Sequence, residues 1–547
     1  MNIKTLNLLL LSFLLLLLIA CDSKKSVRDN RIVIGISADV QSFNSLFAFS
    51  YEESAIAELL YPSLLDFKWN DKKGELEPYP MIAKSWQWTE DSSYIRFLIR
   101  DDILWSDGIK LTASDVVFSY DVFSDPDVQS RLYGIFNQLF NESDGHIDIE
   151  KTFKVISPYE FEMHFTESSV PDLVKIVVPV IPEHIFKDIS RNQLANHESN
   201  FNPVSSGAFK FKKWNKNQTI ILEADSNSFL FTSGQTAELV FKIVPDYTSR
   251  ILQLKKGDID LLELVKVEDM EELKAEKNLT VVNSIGREYD YVGWNNVDPN
   301  ETTNPHKLFG SSNVRKALSM AINRKEILEE YLLGQGELAA SPVSPIFKSA
   351  FNDKVLPYEF IPEEAKKLLF LEGWKDEDRN GILEKDNEEF KFKMYYPVGN
   401  PLREYASVVI KNNLKSIGIE VATEKMELGA FINNLYERKF DSWIAGFGVP
   451  IPLDLKPYWY SDPNVAVVNF PSYSNSEVDK ILNQLETRIS NERKNELIKE
   501  FQEIIHKDEP VAFLYWTPNI IVYNTRIKNL KITPYGVLVH CWEWTIN

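Results

Sequence analysis

The sequence predicts an α/β protein, because short β-branched runs alternate along it with longer segments whose apolar residues recur at helical spacing. Scale supports this: 547 residues, 44% hydrophobic and 12% aromatic, are enough for two to four domains of ordinary size. No short repeat or low-complexity block after residue 30 interrupts the alternation.

Taken in order, Ile32-Val33-Ile34-Gly35-Ile36 reads as a buried strand, followed by a Ser/Asn loop and a helix over Tyr51–Tyr61. Tyr94 to Arg100 carries enough apolar and aromatic residues for a strand. Thr112 and Asp115, three apart, form a capping box that opens an amphipathic helix over Val116–Val122. Helical spacing recurs over Asn313–Leu333, Pro362–Leu371, Leu402–Ile417, Glu427–Arg438 and Ser476–His506. Between these lie strand-type runs at Ile220–Leu222, Leu239–Val244, Thr280–Val282, Phe392–Tyr395 and Glu420-Val421.

The chain starts with an address. Lys4 precedes an apolar run from Leu8 to Ala20, too short for the roughly 20 residues that span a bilayer and arranged like an export signal. Leu17-Leu18-Ile19-Ala20-Cys21 resembles a lipoprotein lipobox, which implies that residues 1–20 are removed and Cys21 carries the lipid. The alternative is an ordinary secreted protein cut nearby. Residues 21–30 are polar without periodicity and read as a flexible tether. Cys21 and Cys541 are the only cysteines, so a lipidated Cys21 leaves no internal disulfide and Cys541 reads as a packed thiol. Lys+Arg 60 against Asp+Glu 80 gives a formal charge of −20. With basic residues interleaved among acids, no cationic face for nucleic acid is expected.

Five blocks carry a family resemblance. The first runs from Ile82-Ala83-Lys84-Ser85-Trp86 through Arg100-Asp101 and Trp105-Ser106-Asp107-Gly108 to Leu111–Tyr120. The second is Pro203–Phe211. The third, Asp246–Leu262, reads as a helix ending in a Gly257 turn before a strand. The fourth is Asn313–Arg324. The fifth joins Glu364–Leu369 and Gly373-Trp374 to Leu414–Val421. In order and spacing these resemble the family 5 extracellular solute-binding proteins, the peptide receptors of bacterial ABC importers.

The resemblance implies a bilobal periplasmic-binding-protein-like fold of class II with an extra α/β domain on the first lobe. By block order, lobe one takes 31–64, 203–287 and 517–547, the extra domain 65–202, and lobe two 288–516. It also implies a peptide in the cleft between lobes, ABC permease subunits as partners, a monomer at the extracytoplasmic face of a membrane, and no catalysis. Candidate ligand contacts are Ser42, Phe43 and Asn44 in the first loop, Trp294, Asn295 and Asn296 near the lobe crossing, Arg403, the Gly446-Phe447-Gly448 turn, Asp454 and Trp459. Trp294 and Trp459 read equally well as core residues. Where peptide receptors of the family place an aspartate for the ligand's α-amine, this chain reads Val449-Pro450-Ile451-Pro452-Leu453-Asp454. Asp454 arrives late, and that departure leaves open an oligosaccharide or other non-peptide cargo.

Asp376, Asp378 and Asn380, followed by Gly381, match the first half of a calcium loop, but position twelve is Asn387 instead of Glu. The alternative is a solvated turn, with no cofactor at all. The seven histidines are scattered singly, and no Gly-x-Ser-x-Gly, phosphate-binding loop or dinucleotide motif is present. A glycosidase needs only two carboxylates and stays as the enzymatic alternative. A receptor-like chaperone or sensor is the third.

Overall fold

The computed structural model describes residues 30–167, 171–299, 301 and 303–547. Cys21 and the leader therefore lie outside the described residues. Asn30, expected as the last residue of the tether, is already held: its side chain donates to the Gln235 carbonyl at 3.0 Å, and its own carbonyl accepts from Ala237 at 2.7 Å.

The β-branched run at the start forms Arg31–Ile36, buried on alternate residues. It pairs in parallel with Glu238–Ile243 and touches Leu261–Leu262 on its other side. From there an 11-stranded sheet extends both ways. Thr219–Ala224 and Phe209–Asn215 finish one end, and Ser442–Gly448, Lys391–Pro397 and Glu420–Met426 finish the other. Two long strands join the halves, Leu279–Trp294 and Val511–Asn524, paired antiparallel.

These crossing strands position everything that follows. Their register shifts between Ile285 and Tyr289, which bends and twists the pair locally. Gly286 sits in the shift, where a Cβ would stand 2.6 Å from the Thr517 carbonyl, so only glycine lets the backbones approach. Residues before the shift belong to the sheet half containing Arg31–Ile36, and residues after it pair with Ser442–Gly448.

Several expected elements take a different form. Thr280–Val282 is only the start of a 16-residue strand. The Gly446-Phe447-Gly448 turn is instead the end of the strand Ser442–Gly448, because cross-strand pairing to Glu288–Trp294 outweighs the two glycines. The Asn313–Leu333 helix is two, Ser312–Met320 and Arg324–Glu330, with Asn323 capping the second. Ser476–His506 likewise breaks into Ser476–Leu485 and Asn491–Asp508, the latter capped by Ser490. The helix Tyr247–Lys256 ends as read, on Gly257 in the left-handed region at φ 76°.

Between residues 65 and 202 lies a four-stranded antiparallel sheet, Ala83–Trp88, Tyr94–Ile99, Glu160–His164 and Phe153–Ser157 in spatial order. Helix Ala113–Ser124 opens on the Thr112/Asp115 capping box. Phe97 stacks on Phe161 at 5.2 Å, and both belong to one buried cluster with Ile32 and Ile34 of the main sheet. Each such fully buried ring or aliphatic side chain stabilises by about 1.5–3 kcal/mol. Cys541 is buried in the same cluster. A second cluster links Leu254 and Leu273 through the crossing strands to Leu318 and Ile410, and a third packs Trp443, Phe501 and Phe513. Among the described residues, no helix is long and apolar enough to cross a membrane.

Candidate ligand-binding site

Helix Tyr51–Leu60 starts from a capping box in which Glu53 N donates to Ser50 Oγ at 3.1 Å and Ser50 N donates to Glu53 Oε2 at 3.0 Å. Its period then sorts the side chains. Ile56, Ala57, Leu59 and Leu60 enter the core, while Tyr51, Ser54, Ala55 and Glu58, spaced three and four apart, line a cavity of about 410 Å³. That volume lies within the range of small-molecule sites.

The cavity draws on all parts of the chain. Asp66, Arg131, Val174 and Val177 contribute from the segment 65–202, Tyr535, Leu538 and His540 from the C-terminal stretch, and Ile451 and Pro452 from beyond the crossing. His540 Nε2 lies 2.5 Å from Asp66 Oδ2. Arg131 Nε donates to the Ser45 carbonyl at 3.0 Å. Glu58 is solvent-exposed toward the cavity; the protein crowded around it raises its pKa by desolvation, Arg131 opposes that rise and Asp66 adds to it. At the rim, the Tyr51 hydroxyl donates to Glu263 Oε2 at 3.0 Å and Oε1 at 3.2 Å. Burial still pushes the Glu263 carboxyl up to about 7.

Arg287, in the register shift, fixes the opposite wall. Its guanidinium donates to the Val449 carbonyl at 3.0 Å, and Val449 N donates back to the Arg287 carbonyl at 2.8 Å. The loop that follows carries Asp454, whose Oδ2 stands 3.8 Å from Lys175 Nζ of the segment 65–202. Asp454, Phe447, Gly448, Tyr458 and Trp459 share a small depression beside the main cavity.

The other sequence candidates are placed elsewhere. Phe43 is buried against Phe211 and Trp214, at 4.9 and 5.2 Å between rings. Asn44 caps a short turn through Leu46 N and bonds Asn200 Oδ1 at 2.8 Å, with Ser42 beside it. Trp294 is fully buried, stacked on Phe309 at 5.2 Å and edge-on to Phe392. It stands eight residues past Gly286, about 25 Å along the strand, packed in the buried cluster at the far end. Asn295 is buried, and Asn296 donates to the Trp294 and Pro510 carbonyls. Arg403 is engaged internally, with Nε and Nη2 donating to Asp290 Oδ1 at 3.1 and 2.7 Å. Gly446 makes room for that pair: a Cβ there would lie 2.4 Å from each partner. Trp459 packs between Tyr473, Phe501 and Phe513 and offers the depression only an edge.

Sequence reasoning missed Tyr51, Glu58, Arg131, Arg287, Tyr535 and His540. For Glu58 a signal existed, since it is the only charge in Ala55-Ile56-Ala57-Glu58-Leu59-Leu60-Tyr61. The C-terminal residues carry no comparable local pattern.

The loop over 376–384 differs from the reading in one member. Asp376, Asp378 and Glu384 bring carboxylate oxygens within 4.8 Å of one another. Asn380 instead spends its Oδ1 on Ile382 N at 2.8 Å and its amide on Asp378 and Glu389. Glu384 Oε1 accepts from Glu377 N and Asp378 N, leaving Oε2 buried without a hydrogen-bond partner. Three carboxylates and a left-handed Gly381 at φ 89° fit a hard cation with oxygen ligands.

Comparison with known proteins agrees with this architecture. The family model described as bacterial extracellular solute-binding proteins, family 5 Middle, matches residues 77–469. The oligopeptide-binding protein AppA of Bacillus subtilis is 28% identical, over 98% of this chain and 98% of its own. Heme-binding protein A of Haemophilus influenzae is 25% identical over 88% of this chain and 86% of its own. The solved structure of Bacillus subtilis AppA in complex with a nonapeptide superposes with a TM-score of 0.72 at 27% identity, covering 94% of this chain and 99% of that one.

Proposed function

Because the chain belongs to the bacterial extracellular solute-binding proteins of family 5, we propose that it captures peptides between its lobes and delivers them to the permease of an ABC importer. The family is one of binding proteins, which sets the carboxylate-based hydrolase aside. One observation carries the reading: helix Tyr51–Leu60 and loop residues Ile451 and Pro452 wall the same cavity from opposite sides of the strand crossing. A cavity shared by two lobes forms when they close, and hinge closure around a ligand is how such folds signal occupancy. Resemblance to AppA, named for oligopeptides, supports the cargo class.

The test is thermal melting with peptides of two to nine residues. Bound ligand stabilises by mass action, so Tm should rise with peptide concentration and the peptides should be recovered intact. No shift with any of them would contradict the proposal. A second reading, a non-peptide solute, is favoured by Asp454, whose carboxylate faces Lys175, and by the relative named for heme. It predicts shifts with such solutes and none with peptides.

Three further assignments belong to the proposal. The lobes divide as 31–64, 203–287 and 517–547 against 288–516, with 65–202 as the extra domain. Cys21 carries the lipid that holds a monomer at the outer face of a membrane, and Cys21→Ser should release the protein from the membrane fraction. The loop carboxylates Asp376, Asp378 and Glu384 hold calcium, so chelation should lower Tm and added calcium restore it.

A further inference from the structure

Glu58 stands in the cavity without a protein partner among the described residues. No donor among the described residues lies within hydrogen-bonding or ion-pair distance of its carboxylate, although it stands in a space bounded by Leu59, Leu65, Val174, Val177 and Leu230. The neighbouring charges do not supply a partner. Asp66 is of the same sign and is already engaged by His540. Arg131 sits on the cavity wall, but its Nε is committed to the Ser45 carbonyl, and it makes no ion pair with Glu58.

Glu58 is solvent-exposed toward the cavity in this structure, and its carboxylate becomes costly when bound cargo and lobe closure expel that water unless a cation reaches it. Apolar walls beside an acid that has no protein partner also suit one shape of ligand group, an aliphatic stem ending in a positive tip. Asp454, the carboxylate nearest the position where the family resemblance puts an amine anchor, instead stands at the rim near Lys175 at 3.8 Å.

Resting on the peptide reading above, we infer that Glu58 anchors an ammonium group of the cargo, so that the cavity between helix Tyr51–Leu60 and the C-terminal stretch selects cationic peptides. The ammonium has two sources, the free amino terminus and a lysine side chain. The bound ammonium donates its hydrogen bonds to the Glu58 oxygens, and closure of the lobes removes the remaining water.

Titration calorimetry with the purified protein tests this on one pentapeptide in four forms. These are free amine with lysine, free amine with norleucine in its place, N-acetylated with lysine, and N-acetylated with norleucine. Wild-type protein should prefer the forms bearing the recognised ammonium by about 10- to 100-fold, the range of a charge-assisted hydrogen bond. Which form loses the preference identifies terminus or side chain. Glu58→Gln, which keeps shape and removes charge, should bring all four forms within about threefold of the fully neutral peptide, and Glu58→Asp should recover part of the preference. An unligated Tm close to wild type confirms that both variants fold.

Equal losses for charged and neutral peptides in Glu58→Gln, or no preference in wild type, would overturn this inference while leaving peptide capture intact. Binding of none of the four forms would overturn the peptide reading itself, and the inference with it.

Discussion

At Glu509, the fold holds a carboxyl against its ordinary chemistry. Burial pushes it up to about 7 from the usual 4.5, and the Ser319 hydroxyl at 2.7 Å and the nearby Arg324 and Arg315 offset only part of that. The proton is bound more tightly in the folded chain, so this residue's contribution is at its best below pH 4.5. It is lost as pH rises to about 7 and changes little beyond. Glu509→Gln should remove that loss, flattening the stability profile across this window and gaining on the order of 3 kcal/mol at pH 8; urea melts at pH 5 and pH 8 measure it. The Arg403–Asp290 pair makes the opposite prediction. Asp290→Asn leaves a buried guanidinium without its counter-charge, and Gly446→Ala drives a methyl into both partners. The first should cost about 3–5 kcal/mol in chemical denaturation. Arg403 looked like a ligand contact in the sequence because its partner lies 113 residues away and nothing local betrays the pairing. Glu58 left a signal in the sequence as the lone charge in Ala55–Tyr61, but it was passed over because its meaning needed the cavity.

Elements show where local chemistry decides and where it yields. Helical periodicity runs unbroken through Asn313–Leu333, yet Asn323 stops one helix and starts the next by accepting from Glu326 N at 3.2 Å. Asn323→Ala should cost about 1 kcal/mol by thermal melting, with little change in ligand affinity, since the cap lies away from the cavity. The same competition operates at Ser490, which accepts from Arg493 N at 3.2 Å. Both caps were visible as residue types and were overridden in the reading by the apolar spacing around them. Strands failed differently. Ser442–Gly448 contains two glycines, and Val511–Asn524 contains Pro518, so local propensity argues against both. Their pairing with Leu279–Trp294 is set by partners far away in sequence. Short β-branched strands such as Arg31–Ile36 were legible because Ile32, Ile34 and Ile36 enter the core from one face while Val33 is half-buried on the other.

For the whole molecule, the two sides of the cleft touch in this structure beyond the cavity as well. The hairpin of Leu65–Asn70 and Glu75–Pro80 reaches the segment after the crossing: Ser349 N donates to the Lys73 carbonyl at 2.8 Å, and Trp69 meets Phe347 edge-on at 6.1 Å. Gly74 makes the contact close enough, since a Cβ there would stand 2.1 Å from the Ile346 carbonyl. Gly74→Ala should therefore leave the peptide-bound protein more open in small-angle scattering and weaken peptide binding about tenfold. Gly108→Ala is the control, equally left-handed at φ 91° but with nothing within 4 Å; it should show backbone strain in Tm alone. The architecture was legible because five blocks kept their order over most of the chain. The cleft was not, because it is assembled from segments within 51–81, 131–179, 207–230, 451–452 and 535–542, which only folding brings together. The most direct test of the account is native mass spectrometry of the protein taken from its own cells without a denaturing step. Capture between lobes predicts the protein's mass plus a distribution of short peptides, released intact on unfolding. A homogeneous non-peptide adduct, or peptides that emerge cleaved, would contradict it.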